Sequence, residues 1–235
     1  MCTGYSSQMP NTPVVTPIPS ATVILLREVD GHLETLLLRR NSKIAFHGGA
    51  WVFPGGRIDP EDHTPGNSDD MLAAARRAAV REAQEEASLT VSSEEMIWIA
   101  HWTTPEGQPQ RYSTWFFLAA ANDGTVQIDG DEIHDHRWMR PDLALVAQRT
   151  REIELPPPTF VTLTKLSAYR SVPETLAHLA AKAPEIFVPR YTKVSGGMCS
   201  VYEDDAGYPD VNVDRPGQRH RLWMIDSGWK YEKSV

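Results

Sequence analysis

Residues 81–86 read Arg-Glu-Ala-Gln-Glu-Glu and follow an alanine-rich run from Ala73 to Val80. Read as a helix, this stretch places Glu82, Glu85 and Glu86 at positions i, i+3 and i+4, so the three carboxylates share one face within one turn. Like charges at that spacing repel each other, and the face therefore predicts a bound cation. A solvated acidic surface is the alternative that the glutamates alone leave open.

The sequence Phe-Pro-Gly-Gly at residues 53–56 precedes the helix and favours the cation. Paired glycines let the backbone approach a ligand closely and free carbonyl oxygens to coordinate metal. Mg²⁺ is typically held by a few carboxylates and keeps positions open for water and substrate phosphates. We therefore expect the three glutamates, with a backbone carbonyl of Gly55 or Gly56, to hold a hard divalent cation.

The 235 residues are enough for one domain with extensions. A formal net charge of -8 disfavours nucleic acid and membrane surfaces as partners, because these polyanions bind proteins with a basic surface. Cys2 and Cys199 are too few for a disulfide framework and indicate free thiols in a reducing cytosol. The first 20 residues lack Lys and Arg, which disfavours a leader peptide, and no apolar run reaches the roughly 20 residues of a membrane span. We predict a cytoplasmic protein.

Local patterns predict a fold that mixes strands and helices. A helix from about residue 70 to 88, capped by Ser68 or Asp69, carries the glutamates. The economical arrangement is α/β (α+β), a mixed sheet with helices on its faces and a C-terminal helical and β extension. The predicted strands are 20–27, 34–40, 51–53, 97–103, 113–121, 137–139, 198–203 and 221–225, and further helices begin at Pro141, Thr159 and Pro173.

These residues resemble the signature of the Nudix hydrolases, G-x5-E-x7-R-E-U-x-E-E-x-G-U, where U is a bulky apolar residue. Gly56 matches the first glycine, Asp62 stands where the first glutamate is expected, and residues 81–86 match the catalytic half. Residues 63–80 separate the two halves, eighteen residues where the family has seven, so the chain carries an eleven-residue insertion. Ser88 replaces the second glycine, which should alter the end of the helix more than the ligands.

The resemblance implies a Nudix fold, hydrolysis of a nucleoside diphosphate linked to another group, and Mg²⁺ or Mn²⁺ as the cofactor. It implies Glu85 and Glu86 as metal ligands, and Glu82 as a third ligand or, through a water, as the general base. Arg81 would orient one of these glutamates. The resemblance also divides the chain into a loose lead-in (1–18), a Nudix hydrolase domain (19–155) and an extension packed on that domain (156–235).

Many Nudix enzymes recruit a further glutamate from a later loop. Glu132 is preferred here, because the Asp- and Gly-rich turn around it precedes Arg137-Trp138 much as such a loop does in the family. Glu106, in the turn Pro105-Glu106-Gly107, is the alternative.

A second motif lies upstream and resembles the coenzyme A diphosphatase branch of the family, which includes the peroxisomal coenzyme A diphosphatases. It implies coenzyme A or acyl-coenzyme A as a small-molecule nucleotide substrate, contacted by Arg40, His47, Gly56 and Arg57. ADP-ribose, NADH, a dinucleotide polyphosphate, or a non-catalytic ligand-binding role are the alternatives. Because Nudix proteins often pair, the resemblance also suggests a homodimer. The matching residues are Arg40, Ile44, His47, Gly49, 53–56, Asp59 and Asp62.

Overall fold

The computed structural model describes residues 15–43, 47–64, 69–122 and 124–234. Within these ranges the chain is a mixed α and β structure, which confirms the predicted fold class. Residues 1–14 of the predicted lead-in, Cys2, Ile44 and Ser68 lie outside the described residues. The elements are β1 (Ile18–Val29), β2 (His32–Arg40), β3 (Trp51–Val52), β4 (Gly55–Arg57), α1 (Met71–Ala87), β5 (Ile97–Thr103), β6 (Tyr112–Ala120), β7 (Ile133–Met139), α2 (Pro141–Arg149), α3 (Pro157–Leu166), α4 (Val172–Ala180), β8 (Glu185–Phe187), β9 (Arg190–Val194), β10 (Gly197–Val201), β11 (His220–Ile225) and β12 (Gly228–Lys233).

The main sheet has the strand order β3-β2-β1-β6-β5-β8, with β4 paired to β1 and β7 paired to β2. The predicted strands 20–27 and 34–40 lie within β1 and β2, which pair antiparallel as a hairpin. The hairpin turns at Asp30 and Gly31, which both have positive φ angles. β7 begins four residues earlier than the predicted 137–139. Its pairing with β2 brings the loop before Ile133 beside Arg40 at the end of β2.

Helix α1 packs closely on one face of this sheet because alanines form its buried side. The Asp70 side chain accepts a hydrogen bond from the Ala73 amide at 3.0 Å and caps the helix, so the prediction of Asp69 as the cap is wrong. The helix ends at Ser88, whose φ of 55° lies in the left-handed region. Glycine is the usual residue there, because a Cβ is disfavoured in that conformation.

The opposite face of the sheet is covered by α2, α3 and α4 together with the C-terminal residues. β8 pairs in parallel with β5, and Phe187 stacks on Trp102 with ring centroids 3.9 Å apart. Strands β9 to β12 form a second, antiparallel sheet that contributes Tyr202 and Leu222 to the same core. Sequence patterns did not predict β4, β8, β9 and β12. The domain boundaries at residues 18 and 155 stay predictions.

Among the described residues, no helix has both the length and the apolar composition needed to cross a bilayer. Cys199 is a buried free thiol, and burial raises its pKa to about 11.

Candidate active site

The candidate site lies where the C-terminal half of α1 meets β4. A Cβ built on Gly56 would lie 2.2 Å from Oε1 of Glu82, and one built on Gly55 would lie 2.4 Å from the carbonyl oxygen of Ala21. Both distances are shorter than a van der Waals contact. At Gly55 the clash is with backbone, so only glycine fits there, whereas a Cβ at Gly56 would displace the Glu82 carboxylate. Gly55 therefore lets β4 lie close to β1, and Gly56 leaves room for the Glu82 carboxylate of α1 beside β4.

Arg81 is the centre of the hydrogen bonds in this site. Its Nη1 donates to Oε1 of Glu82 and to Oε2 of Glu85, both at 2.9 Å. Its Nη2 donates to Oδ2 of Asp62 at 3.0 Å and to the carbonyl oxygen of Arg57 at 2.9 Å. Burial alone would lower the pKa of Arg81, but the hydrogen bond to Asp62 and the charges of Glu82 and Asp62 raise it. Arg81 therefore stays charged and orients two of the glutamates.

Asp62 is buried and anchors Arg81 from the far side of the inserted loop. Its carboxylate also accepts a hydrogen bond from the Asp59 amide at 2.9 Å, and its carbonyl oxygen accepts one from Nε of Arg77. The two partners Asp62 and Arg81 are 19 positions apart in the chain. The insertion thus leaves the contact between the loop half and the helix half of the motif intact.

Glu86 and Glu82 are withdrawn from water, whereas Glu85 is exposed. Oε2 of Glu86 accepts a hydrogen bond from the Gly55 amide at 2.9 Å, yet burial raises the pKa of Glu86 to about 8. Burial also raises the pKa of Glu82, against the opposing effect of Arg81. Two desolvated carboxylates this close together favour binding of a proton or a cation.

Glu132 belongs to the same electrostatic cluster. Its negative charge adds to the raised pKa of both Glu82 and Glu86, and its Oε2 lies 4.0 Å from Nη2 of Arg40. Asn41 fixes the loop in place, because its amide donates to the Glu132 carbonyl oxygen at 2.7 Å and its side chain donates to the Asp131 carbonyl oxygen at 2.9 Å. Sequence reasoning missed Asn41, since its partners lie about 90 positions away and leave no local signal.

The other predicted residues lie at different distances from this cluster. Glu106 is exposed in its turn, and within the described ranges it forms no hydrogen bond or salt bridge with the site. Arg40 has a buried Nε that finds no hydrogen-bond partner among the described residues. Desolvation and the charge of Arg40 lower the pKa of His47, so this ring stays neutral beside that guanidinium. The Arg57 side chain is exposed at the rim.

The donor set fits a hard divalent cation. It consists of carboxylate oxygens, two of them on desolvated side chains, against a wall in which a Cβ at Gly56 would collide with Glu82. In the part of the chain that is described, no three His, Cys, Asp or Glu side chains are arranged around a common point as metal ligands. The reason is that Glu82 and Glu85 face Arg81, while Glu86 faces the Gly55 amide.

Comparison with known proteins identifies the domain. The model of the NUDIX domain family matches residues 16–157, which is more than half of the chain. "Putative nudix hydrolase 7" of Caenorhabditis elegans is 24% identical over 164 residues, covering 56% of this chain and 55% of that protein. "Acyl-coenzyme A diphosphatase NUDT19" of Xenopus laevis is 25% identical over 154 residues, covering 54% of this chain and 40% of that protein. The chain thus spans about half or less of the length of these relatives.

A solved structure shows the same fold. The crystal structure of a NUDIX hydrolase from Alicyclobacillus acidocaldarius superimposes with a TM-score of 0.62 at 20% sequence identity, over 72% of this chain and 99% of that one. The fold, the family match and the arrangement of Arg81 with its glutamates agree, and the chain belongs to the NUDIX domain family.

Proposed function

We propose that this chain hydrolyses the diphosphate linkage of coenzyme A or acyl-coenzyme A, giving 3',5'-ADP and (acyl-)phosphopantetheine. The observation that carries the reaction class is the cluster of carboxylates held by Arg81 against Gly55 and Gly56. The substrate rests on the upstream motif around Arg40 and His47. It gains support from the similarity to the Xenopus laevis acyl-coenzyme A diphosphatase.

The reaction needs both a cation and the residues of this chain. Glu82, Glu85 and Glu86, with Glu132 and the Gly55 backbone, would hold Mg²⁺ or Mn²⁺. Such an ion neutralises phosphate charge and lowers the pKa of a water molecule. Oxygen ligands are the ones that these cations prefer, and the carboxylates of the site supply them.

The chain itself would bind the diphosphate and move the proton. Water attacks one phosphorus, the bond from that phosphorus to the bridging oxygen breaks, and the bridging oxygen leaves on the other phosphate. A proton from the water passes to a carboxylate, and Glu82 is the candidate base. Arg81 orients the Glu82 carboxylate through a hydrogen bond of 2.9 Å. Arg40 and Arg57 would bind phosphate oxygens, since a guanidinium matches them with two parallel hydrogen bonds.

A substrate panel tests this proposal. The purified chain is incubated with coenzyme A, an acyl-coenzyme A, NADH, ADP-ribose and diadenosine polyphosphates, each with Mg²⁺ or Mn²⁺, and products are separated by chromatography. We expect the highest kcat/KM for the coenzyme A compounds. Preference for another diphosphate would overturn the substrate while leaving the reaction class intact.

The lengthened loop and Ser88 motivate one other proposal, a ligand-binding module without catalysis. Tight binding of these compounds with no turnover in either metal would support it. We further propose that the binding partner is a small nucleotide. We also propose that the chain forms a homodimer, and light scattering would test this by measuring the molar mass of the assembly.

A further inference from the structure

A cavity of about 600 Å³ opens on the face of the main sheet opposite to the glutamates. Successive residues of a strand point to opposite faces, and β2 illustrates the difference. Arg40 lies near Glu132 and Glu86, whereas Arg39 lines the cavity with Trp51 of the paired strand β3. The volume lies within the range of about 300–1,000 Å³ that small-molecule sites occupy.

Guanidinium groups dominate the charge around this cavity. Arg39, Arg137 and Arg151 line it, together with the carboxylates of Glu152 and Glu154. Nη1 of Arg137 is paired with Oε1 of Glu152 at 2.8 Å. Among the described residues, neither Arg39 nor Arg151 forms a salt bridge. Two exposed guanidinium groups therefore face the cavity with their charges free to meet an anion.

The backbone of Arg151 is held in an unusual conformation. This residue follows α2 and has a φ of 62°, a left-handed value that costs energy for a side chain with a Cβ. Its amide donates to the Gln148 carbonyl oxygen at 3.0 Å, and Gln148 lines the same cavity. The turn that closes the helix thus places Arg151 at the cavity rim.

An aromatic ring completes the cavity from the distant end of the chain. Trp229 of β12 lines it and is partly exposed, and its ring packs on Phe160 with 5.3 Å between ring centroids. An indole can stack on the planar ring of a nucleobase, and such stacking stabilises binding. Trp51 offers less, because it is buried and Arg137 lies 4.8 Å from its ring centroid.

We propose that this cavity is a second binding site, separate from the glutamates, and that its ligand is a nucleoside monophosphate. Arg39 and Arg151 bind the phosphate, since guanidinium groups match phosphate oxygens in pairs. Trp229 packs against the base. The site needs no metal ion and does not depend on the proposed hydrolysis.

Equilibrium dialysis of the full chain against AMP in EDTA tests the site. With divalent cations removed, the acidic face of α1 repels a phosphate, so binding that remains reports on the arginine cavity. We expect saturable binding at one site that weakens as salt is raised. Adenosine should bind at least tenfold more weakly than AMP, and inorganic phosphate should compete with AMP.

Matched variants locate the binding. Arg39→Gln and Arg151→Gln should each weaken AMP binding about fivefold to twentyfold, because each removes a charge-assisted hydrogen bond. Arg149→Gln, exposed on α2 outside the cavity, should bind AMP like the parent chain. Glu154→Gln should bind more tightly, because it removes a repelling carboxylate.

Three results would overturn the proposal. The first is absence of AMP binding in EDTA, and the second is equal affinity for adenosine and AMP. The third is a loss in Arg149→Gln as large as that in Arg39→Gln, which would assign the binding to general surface charge. Thermal melting of each variant shows that it is folded, and tighter binding by Glu154→Gln cannot arise from misfolding.

Discussion

Two arginines organise carboxylates in this molecule, and they differ in the balance of charge. Arg221 in the second sheet meets Asp205 through two hydrogen bonds of 2.7 and 2.6 Å, and both side chains are almost fully buried. The remaining capacity of Asp205 is filled by the amides of Gly207 and His220, both at 2.8 Å. This pair is one positive charge against one negative charge, with every oxygen satisfied.

Arg81 instead faces a surplus of negative charge. It lies within 3.6 Å of the carboxylates of Asp59, Asp62, Glu82 and Glu85, one positive charge against four negative charges. Glu86 adds another carboxylate beside the same helix. A buried arginine whose charge is balanced, as in the pair of Arg221 and Asp205, fits a structural role. The carboxylates around Arg81, whose negative charge exceeds the charge of that arginine, are what indicates a cation site.

The largest expected effect comes from the carboxylates around Arg81, where negative charge is in surplus. Glu85→Gln should lower kcat by at least about a hundredfold, because it removes one charge from the set that stabilises the transition state. Its melting temperature should stay near that of the parent chain, since Glu85 is exposed. Glu94→Gln, an exposed glutamate outside the site, serves as the control. A fully active Glu85→Gln enzyme would contradict the cation site.

The balanced pair should behave in the opposite way. Arg221→Met leaves Asp205 buried without its partner, and we expect the free energy of unfolding to fall by about 3–5 kcal/mol. Urea denaturation measures this loss, while the kcat of the folded protein should hardly change. The double variant Arg221→Met with Asp205→Asn should recover part of the stability, because no buried charge is then left unpaired. A loss below about 1 kcal/mol would show that the pair is not structural.

The ionisation of Glu86 should make the free energy of unfolding depend on pH. Its pKa is raised from 4.5 to about 8 in the folded chain, so the contribution of Glu86 to stability falls as the pH rises from about 4.5 through about 8. Glu86→Gln keeps an oxygen for the Gly55 amide and cannot ionise. In EDTA, its free energy of unfolding should therefore exceed that of the parent by more than about 1 kcal/mol at pH 9, with a smaller gap at pH 5. Urea denaturation at both pH values tests this, and a gap that shrinks with rising pH would contradict it.

The smallest expected effect comes from the backbone conformation of Ser88 at the end of α1. Ser88→Gly should raise the free energy of unfolding by about 0.5–1 kcal/mol, because glycine adopts the φ of 55° without a steric penalty. Activity should be unchanged, since Ser88 lies beyond the last glutamate. Thermal melting and the coenzyme A assay measure both quantities. A destabilised Ser88→Gly variant would show that the hydroxyl contributes more than the backbone strain costs.

Sequence patterns predicted those helices and strands that are determined by residues adjacent in the chain. The helix was expected over residues 70–88 and spans Met71–Ala87, because helical spacing and capping are properties of adjacent residues. β8 was missed, because three residues carry no periodic pattern and its partner Ala100 is 85 positions before Glu185. The cavity needs Arg39, Arg151 and Trp229, which only the tertiary structure brings together. The roles of the glutamates as metal ligands stay predictions.

β8 has a consequence for any shortened form of this protein. The residues that match the family end at 157, yet β8 beyond them covers the edge of β5. A chain stopped at that boundary would expose the open backbone groups of β5 and the indole of Trp102, a template for pairing between copies. β8 itself is a safe edge, because it is three residues long and Glu185 is bonded to Lys165 and Lys233. The C-terminal residues thus cover a sheet edge that would otherwise be open to pairing between copies.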